Sequence, residues 1–220
     1  MLKLENVYYR YKKSSHDVLN NISATFEAGK FTSIVGPSGS GKTTFLSIMA
    51  GLDTPTAGKV TIDGIDLTSM DLDSYRRERI AMIFQAFHLF PLLTALENVC
   101  YPMEMNKIQK GVAKERAAEL LRSVGIDDEK HNRYPANLSG GEQQRVAIAR
   151  ALSTGAKVIL ADEPTGNLDT ANGEAVVRIL KSLAHDRGFA VIVVTHNPEI
   201  AETSDAIYKM SDGAISKSDN

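Results

Sequence analysis

Hydrophobic and polar positions along the chain change their spacing several times, and each spacing predicts an element. Residues Leu2 to Tyr11 alternate between apolar and polar side chains, which predicts an edge β-strand followed by a Ser-Ser-His turn. Four other short stretches are apolar almost throughout, which is typical of strands in a parallel sheet buried on both faces. These stretches are FTSIV at 31–35, IAMIF at 80–84, KVILA at 157–161 and FAVIVVT at 189–195.

Helical spacing separates these strands. A helix predicted at 43–50 ends before Gly51, and apolar residues recur at helical spacing across 176–183. Asn197 followed by Pro198 has the pattern of an N-cap and a first helical residue, which predicts a last short helix. Buried strands that alternate with helices predict an α/β fold with a mostly parallel sheet.

The stretch from about residue 86 to 156 is mostly helical in character. Thr94 and Glu97 have the spacing of a capping box, and apolar residues recur at helical spacing across 117–124 and, more loosely, across 146–152. We expect this stretch to be a helical subdomain inserted between two strands of the core, not an independent unit.

Composition narrows the class of protein. The 220 residues are 43% hydrophobic and 24% charged, which is ordinary for one globular domain spanning 1–220. A net charge of −2 gives no electrostatic footprint for nucleic acid. The N-terminus is not a signal peptide, and no apolar stretch approaches the ~20 residues that span a bilayer. We therefore expect a soluble, cytoplasmic chain without direct membrane insertion, and a buried, inert thiol at Cys100.

A glycine-rich sequence, GPSGSGKTT, lies between the strand at 31–35 and the helix that follows it. It fits the phosphate-loop pattern G-x-x-x-x-G-K-[ST], in which glycines allow a tight turn and backbone N–H groups point at phosphate oxygens. The lysine then holds the β- and γ-phosphates, and the first threonine coordinates Mg²⁺. The nucleotide-binding residues predicted here are Gly36, Pro37, Ser38, Gly39, Ser40, Gly41, Lys42, Thr43 and Thr44.

Two acids follow the strand at 157–161. Asp162 stands at the carboxyl end of this strand, beside the expected phosphate loop, where it can hold the shell of a metal ion. Glu163 comes next and can polarise an attacking water. The alternative is that either acid only caps the next helix.

A second anion site is predicted at Ser139, Gly140 and Gly141. These residues precede a helical stretch, so a hydroxyl and bare N–H groups lie at the positive end of a helix with no bulky side chain nearby. Because Lys42 already belongs to one phosphate cradle, a second cradle makes sense if it serves the nucleotide of a neighbouring molecule. An ordinary capped helix is the alternative.

Together, GPSGSGKT, LSGGEQQR (138–145) and VILADE (158–163) resemble, in this order, the nucleotide-binding domain of ABC-type ATPases. The resemblance runs from Leu2 to about Met210. It implies a P-loop core, an N-terminal antiparallel β subdomain and an inserted helical subdomain. It also implies a homodimer in which ATP is held between the Lys42 loop of one copy and the Ser139 loop of the other.

The same resemblance gives roles to single residues. It implies that Glu163 is the general base, that His196 contacts the γ-phosphate and that Gln85 ligates Mg²⁺ and reports nucleotide state to a partner. Asp169 resembles the residue that joins the two copies. Tyr11 is the first candidate to stack on adenine, with Tyr8 and Tyr9 as competitors.

Finer sequence features resemble the subgroup of lipoprotein-release, macrolide-efflux and antimicrobial-peptide-resistance ATPases. The resemblance implies a bacterial ATPase that drives a membrane permease from the inner face of the membrane, with segment 87–93 in the groove that receives the permease. The alternatives are an ATPase of a cell-division or sensing complex that transmits a mechanical signal and, with less support, a soluble ATPase of DNA repair or translation. DNA-repair members of this class carry a long coiled-coil insertion, and translation members carry two nucleotide-binding domains. The sequence shows neither feature, which disfavours that last class.

Overall fold

The computed structural model describes residues 1–12 and 14–218, so Lys13, Asp219 and Asn220 of the expected 1–220 domain lie outside the described residues. The chain forms two sheets with helices around them. The strands are β1 Leu2–Tyr9, β2 Leu19–Phe26, β3 Phe31–Val35, β4 Ala57–Ile62, β5 Ile65–Asp66, β6 Ile80–Phe84, β7 Val158–Asp162, β8 Ala190–Val194, β9 Ala206–Ser211 and β10 Ala214–Ser218. The α-helices are α1 Lys42–Met49, α2 Leu72–Glu78, α3 Ala95–Met105, α4 Lys110–Ser123, α5 Gly140–Ser153, α6 Thr170–His185 and α7 Pro198–Glu202.

The larger sheet has six strands in the order β10-β9-β3-β8-β7-β6, and all neighbours are parallel except β10 and β9. The predicted α/β class and the four buried strands are confirmed. Asp162 pairs with Phe84 on one side and with Val194 on the other, and Val194 pairs with Ile34. Because parallel strands end at the same edge, the residues that follow these strands are brought together.

The smaller sheet is antiparallel in the order β2-β1-β4-β5, as the family resemblance implies. The prediction of an edge strand at the N-terminus is wrong, because β1 pairs with both β2 and β4. Its alternating pattern has a different cause: Leu2, Leu4 and Val7 face a core that also contains Phe45 of α1, and the other face is only partly covered. Alternation reports one buried face and carries no information about how many neighbours a strand has.

Helices α3, α4 and α5 lie between β6 and β7 and share a second hydrophobic core. The capping box of Thr94 and Glu97 is confirmed at the start of α3. Cys100 is buried in this core, and its burial raises the pKa of the thiol to about 11, in agreement with an inert role. In the part of the chain that is described, no helix has the length and apolar character needed to cross a bilayer.

One buried amide fixes the loop that leads into α3. Asn98 is fully buried, and its Nδ2 donates to the carbonyl oxygens of Phe90, Leu93 and Thr94 at 3.0–3.1 Å. Its Oδ1 accepts from the Phe90 N–H at 2.8 Å. A single side chain therefore provides the hydrogen bonds that a strand or helix would otherwise give to this stretch of backbone.

We expect Asn98→Ala to lower the free energy of unfolding by about 2–3 kcal/mol, because a fully buried side chain loses its hydrogen bonds and the Phe90 N–H and the Leu93 carbonyl lose these partners. Chemical denaturation with urea measures this. Asn106→Ala is the matched control: the Asn106 side chain makes no hydrogen bond to the described residues, and its loss is expected to cost under about 0.5 kcal/mol. Equal losses in the two variants would contradict the role given to Asn98.

Candidate active site

The loop between β3 and α1 holds the glycine-rich sequence. Gly39 and Gly41 adopt φ values of 78° and 103°, which a glycine tolerates without steric cost. Gly36, the first of the three glycines, does not have a positive φ. A Cβ at Gly36 would lie 2.1 Å from the carbonyl oxygen of Met210, so this position needs glycine because β9 approaches closely. The loop is therefore shaped by its own turn and by the strand behind it.

A cavity of about 430 Å³ lies beside this loop. Lys42 reaches over the loop, where its Nζ donates to the carbonyl oxygens of Gly36 and Pro37 at 2.8 Å each. Ser40 is buried and does not line the cavity, and its hydroxyl has no hydrogen-bond partner among residues 1–12 and 14–218. The predicted residues that line the cavity are Gly36, Ser38, Gly39, Gly41, Lys42, Thr43, Thr44, Asp162, Glu163 and His196.

Asp162 and Thr43 face each other across one end of the cavity. The Thr43 hydroxyl lies 3.5 Å from the Asp162 Oδ2. Burial raises the pKa of the Asp162 carboxyl, and the neighbouring charge of Glu163 adds to this, while Thr43 and Lys42 act in the opposite direction. A carboxylate that is costly to ionise, beside a hydroxyl oxygen, is a donor set suited to a hard divalent cation.

Glu163 follows Asp162 in an unusual conformation. Its φ of 47° lies in the left-handed region, which costs a non-glycine residue free energy. Its N–H donates to the carbonyl oxygen of Val194, which anchors the turn to β8. The Glu163 Oε1 lies 2.8 Å from the Nδ1 of His196, and the side chains of Glu163 and His196 are 18% and 75% exposed. The structure thus brings the predicted base and the predicted histidine into direct contact.

Gln85 lies at the end of β6 and does not line the cavity beside the phosphate loop. It forms a reciprocal pair with Asn167: Gln85 Nε2 donates to Asn167 Oδ1 at 3.1 Å, and Asn167 Nδ2 donates to the Gln85 carbonyl at 3.0 Å. Asp169, two residues further on, caps α6 by accepting from the Asn172 N–H at 2.9 Å. Gln85 therefore follows a strand end and Asp169 begins α6, and neither residue lines the cavity.

Ser139 is the N-cap of α5, and Gly140 begins the helix. The Ser139 hydroxyl accepts from the Glu142 N–H, and the Ser139 N–H donates to Glu142 Oε2 at 2.8 Å. The sequence analysis did not predict this capping box, although the S-x-x-E spacing of Ser139 and Glu142 is typical of one. A Cβ at Gly141 would lie 2.1 Å from the side-chain oxygen of Asn172. None of these residues lines the cavity beside the phosphate loop.

The three tyrosines near the N-terminus have different surroundings. Tyr9 is buried and donates from its hydroxyl to Asp53 at 3.1 Å. Tyr11 is exposed, and its hydroxyl lies 3.0 Å from that of Thr44. Tyr8 is partly exposed. Tyr11 therefore presents an open ring beside the phosphate loop, whereas Tyr9 does not.

Two polar residues of α5 that the sequence analysis did not single out as site residues hold the surrounding loops. Gln144 is fully buried and donates from Nε2 to the carbonyl oxygens of Pro164 at 2.7 Å and Phe84 at 3.3 Å. Arg150 donates to the carbonyl oxygens of Phe87 and His88. The available signal was their position on the buried side of an amphipathic helix, where a polar side chain needs a partner.

Comparison with known proteins gives a consistent assignment. A family model described as ABC transporter matches residues 19–166. An uncharacterized ABC transporter ATP-binding protein of Methanocaldococcus jannaschii is 47% identical over 98% of this chain and 97% of its own length. The macrolide export ATP-binding/permease protein MacB of Shigella flexneri is 43% identical over 98% of this chain, which spans 34% of that longer protein.

Solved structures agree with these relatives. The dimeric structure of MJ0796, a bacterial ABC transporter cassette, has a TM-score of 0.89 and 42% identity to this chain, and each chain is covered completely. A second dimeric structure of that cassette, in a post-hydrolysis state bound to ADP and Pi, has a TM-score of 0.89 and 41% identity, again with complete coverage.

We expect Asp162→Asn to stabilise the nucleotide-free protein by about 1 kcal/mol at pH 7, because the burial cost of the charge is removed. The sign follows from the raised pKa: the folded state binds the proton more tightly, so ionisation lowers stability as the pH rises through the folded pKa. The advantage of the variant should therefore shrink as the pH falls toward the ordinary aspartate pKa of about 3.9. Urea denaturation at several pH values measures this, and a variant less stable than the parent at pH 7 contradicts it.

Proposed function

The chain belongs to the ABC transporter family as an ATP-binding and ATP-hydrolysing domain, and from this premise we propose how its residues act. Two copies close head to tail on ATP and reopen after hydrolysis, and this cycle drives a separate membrane permease. The permease holds the protein at the inner face of the cell membrane, and the ATPase itself inserts no segment into the bilayer.

One observation carries the head-to-tail arrangement. The chain presents two anion cradles, the phosphate loop at Gly36–Thr44 and the corner at Ser139–Gly141, and the second does not line the cavity of the first. A cradle at the positive end of a 14-residue helix, with an exposed hydroxyl, is suited to a phosphate. In a symmetric pair, the corner of each copy can reach the γ-phosphate that the other copy holds.

The proposed binding roles follow from the contacts around the cavity. Lys42 exchanges its bonds to two backbone carbonyls for bonds to the β- and γ-phosphates. The oxygen atoms of Thr43 and Asp162 fit Mg²⁺. Gln85 follows the neighbouring strand and is the further proposed ligand once its amide leaves Asn167. When bound, the ion neutralises charge on the β- and γ-phosphates. Tyr11 stacks on the adenine.

Hydrolysis is assigned to Glu163 with His196. Glu163 accepts a proton from the attacking water, and the strained turn holds its carboxylate at the cavity wall. Because His196 Nδ1 contacts Glu163, Nε2 is the ring nitrogen left to meet the γ-phosphate, and it donates there when both ring nitrogens carry a hydrogen. Asp169 caps α6 and so fixes the segment that faces the partner copy.

The proposed docking site for the permease is a groove of about 370 Å³ between the core and the helical subdomain. Leu52, Phe90 and Tyr101 are exposed there or at its rim, and Leu92 on the same loop is 86% exposed. Exposed apolar side chains of this kind mark an interaction site. Arg150 hydrogen-bonds the Phe87–His88 backbone to α5. A movement of Gln85 or of the Ser139 corner can therefore be transmitted to the residues that line this groove.

The transported material belongs to the same proposal. Similarity to MacB, whose name specifies macrolide export, favours export or extraction of a lipoprotein, peptide or drug-like molecule. Transmission of a mechanical signal in a cell-division or sensing complex uses the same ATPase cycle and is the second candidate. Purification with the native permease, followed by ATPase assays with these substrate classes, separates the two.

We expect Glu163→Gln to form a stable dimer with ATP and Mg²⁺ and to hydrolyse ATP at least about 10²-fold more slowly, because the general base is lost and the cradles remain. Light scattering after size-exclusion chromatography measures the dimer. Adding Ser139→Phe to this variant should abolish the dimer, since a bulky ring fills the second cradle. A Glu163→Gln protein that stays monomeric at saturating ATP would overturn the sandwich.

We expect Leu92→Glu to abolish co-purification with the permease, because a charge would enter an apolar contact. Met105→Glu is the matched control: Met105 is also exposed, but it lies at the far end of α3 and not on the loop that carries Phe90 and Leu92. The control should bind the permease as the parent does. Equal retention of the permease by both variants would place the docking surface elsewhere.

A further inference from the structure

An ion pair outside the phosphate cavity contacts the Ser139–Gly141 corner through the side chain of Glu142. Lys130, which lies in the loop before α5, places its Nζ 2.8 Å from the Glu142 Oε1. The other oxygen of this carboxylate, Oε2, accepts from the Ser139 N–H at 2.8 Å. The side chains of Lys130 and Glu142 are 28% and 14% exposed, so the pair is partly shielded from water. Lys130 also lies 3.8 Å from Asp127, which is mostly exposed.

The capping box holds the Ser139 oxygen at the surface. The Ser139 Oγ accepts from the Glu142 N–H, and Ser139 is exposed. Because a hydroxyl rotates to suit its partner, the Ser139 O–H can donate to an anion that approaches the corner. The capping box therefore fixes the position of this oxygen as well as starting the helix.

The same carboxylate creates a conflict of charge. Glu142 is in the first turn of α5, at the positive end that is proposed to receive a phosphate of the partner's ATP. An uncompensated carboxylate there would repel the triphosphate and occupy the positive end of the helix. The side-chain bond from Lys130, followed by the Ser139 N–H, lowers the pKa of Glu142 to about 2, so protonation does not remove the charge at neutral pH.

We propose that Lys130 is a positioning residue for ATP-driven dimerisation: it neutralises and holds the Glu142 carboxylate so that the Ser139 corner can accept the γ-phosphate of the partner's nucleotide. This inference rests on the proposed function, in which Ser139 faces that nucleotide. Lys130 itself contacts Glu142, and it acts on the phosphate only through the corner.

The test uses the full chain with Glu163→Gln as the parent, so that ATP is bound and not consumed. Lys130→Ala, Lys130→Arg, Glu142→Gln and the double variant Lys130→Ala/Glu142→Gln are each added to this parent. The ATP concentration for half-maximal dimerisation is measured by light scattering with Mg²⁺ present. The thermal midpoint of each protein without nucleotide is measured in parallel.

Lys130→Ala should require about tenfold more ATP for dimerisation, the size expected when one charge-assisted bond is lost. The deficit should decrease at high ionic strength, which screens the exposed carboxylate. For Lys130→Arg and Glu142→Gln, the ATP concentration for half-maximal dimerisation should stay within about threefold of the parent value. In the double variant, the ATP concentration for half-maximal dimerisation should return to near the parent value, because no carboxylate opposes the phosphate. Its thermal midpoint without nucleotide should stay below that of the parent, because the ion pair is still absent.

Three results would overturn the role of Lys130. One is a Lys130→Ala protein that dimerises as the parent does. Another is a double variant no better than Lys130→Ala, which would mean that Lys130 binds the nucleotide directly or only supports the fold. The third is a Glu142→Gln protein impaired as much as Lys130→Ala. If the parent itself stays monomeric with ATP, the sandwich and this role fall together, whereas a dimeric parent confines any failure to Lys130.

Discussion

Backbone hydrogen bonds between the parallel strands β3, β8, β7 and β6 determine where the reacting groups of this chain lie. Their register places Ile34, Val194, Asp162 and Phe84 side by side at one edge of the sheet. Each reacting group lies at or just after one of these strand ends. The phosphate loop follows β3, the histidine follows β8, the two acids lie at the end of β7 and the glutamine follows β6. A slip of one residue in any strand would turn its side chains to the opposite face and separate the groups.

Around this edge, the helical subdomain is attached through polar side chains that replace missing backbone partners. Gln144 and Arg150 of α5 bind carbonyl oxygens that follow β6 and β7, and Asn98 of α3 binds the loop that follows β6. Such bonds are strong where water is excluded and are costly to leave unmade. These bonds attach the helix capped by Ser139 to the loops that follow β6 and β7, so they provide a physical connection between the phosphate loop's sheet edge and the proposed second cradle.

The site also stores opposing charges and strain. Asp162 is buried enough that ionisation is costly, Glu163 occupies a left-handed conformation, and Glu142 is an acid at a helix end proposed to bind phosphate. The features at Asp162 and Glu163 cost stability in the free protein and are offset where a cation or the sheet edge supplies a partner. Glu142 stabilises the start of α5, but its charge opposes a phosphate unless Lys130 neutralises it. Functional sites are where such local conflicts are expected.

The sequence alone determined the four buried strands, the helix after the phosphate loop and the candidate chemistry, because these depend on local order. Near-continuous apolar runs gave the parallel strands at 31–35 and 80–84, and glycine spacing gave the phosphate loop before α1. Tertiary structure alone decided what depends on residues far apart: that β1 has two neighbours, that Gly36 must make room for Met210, and that Lys130 reaches Glu142. Periodicity reports which face of an element is buried, and only packing decides which atoms cover it.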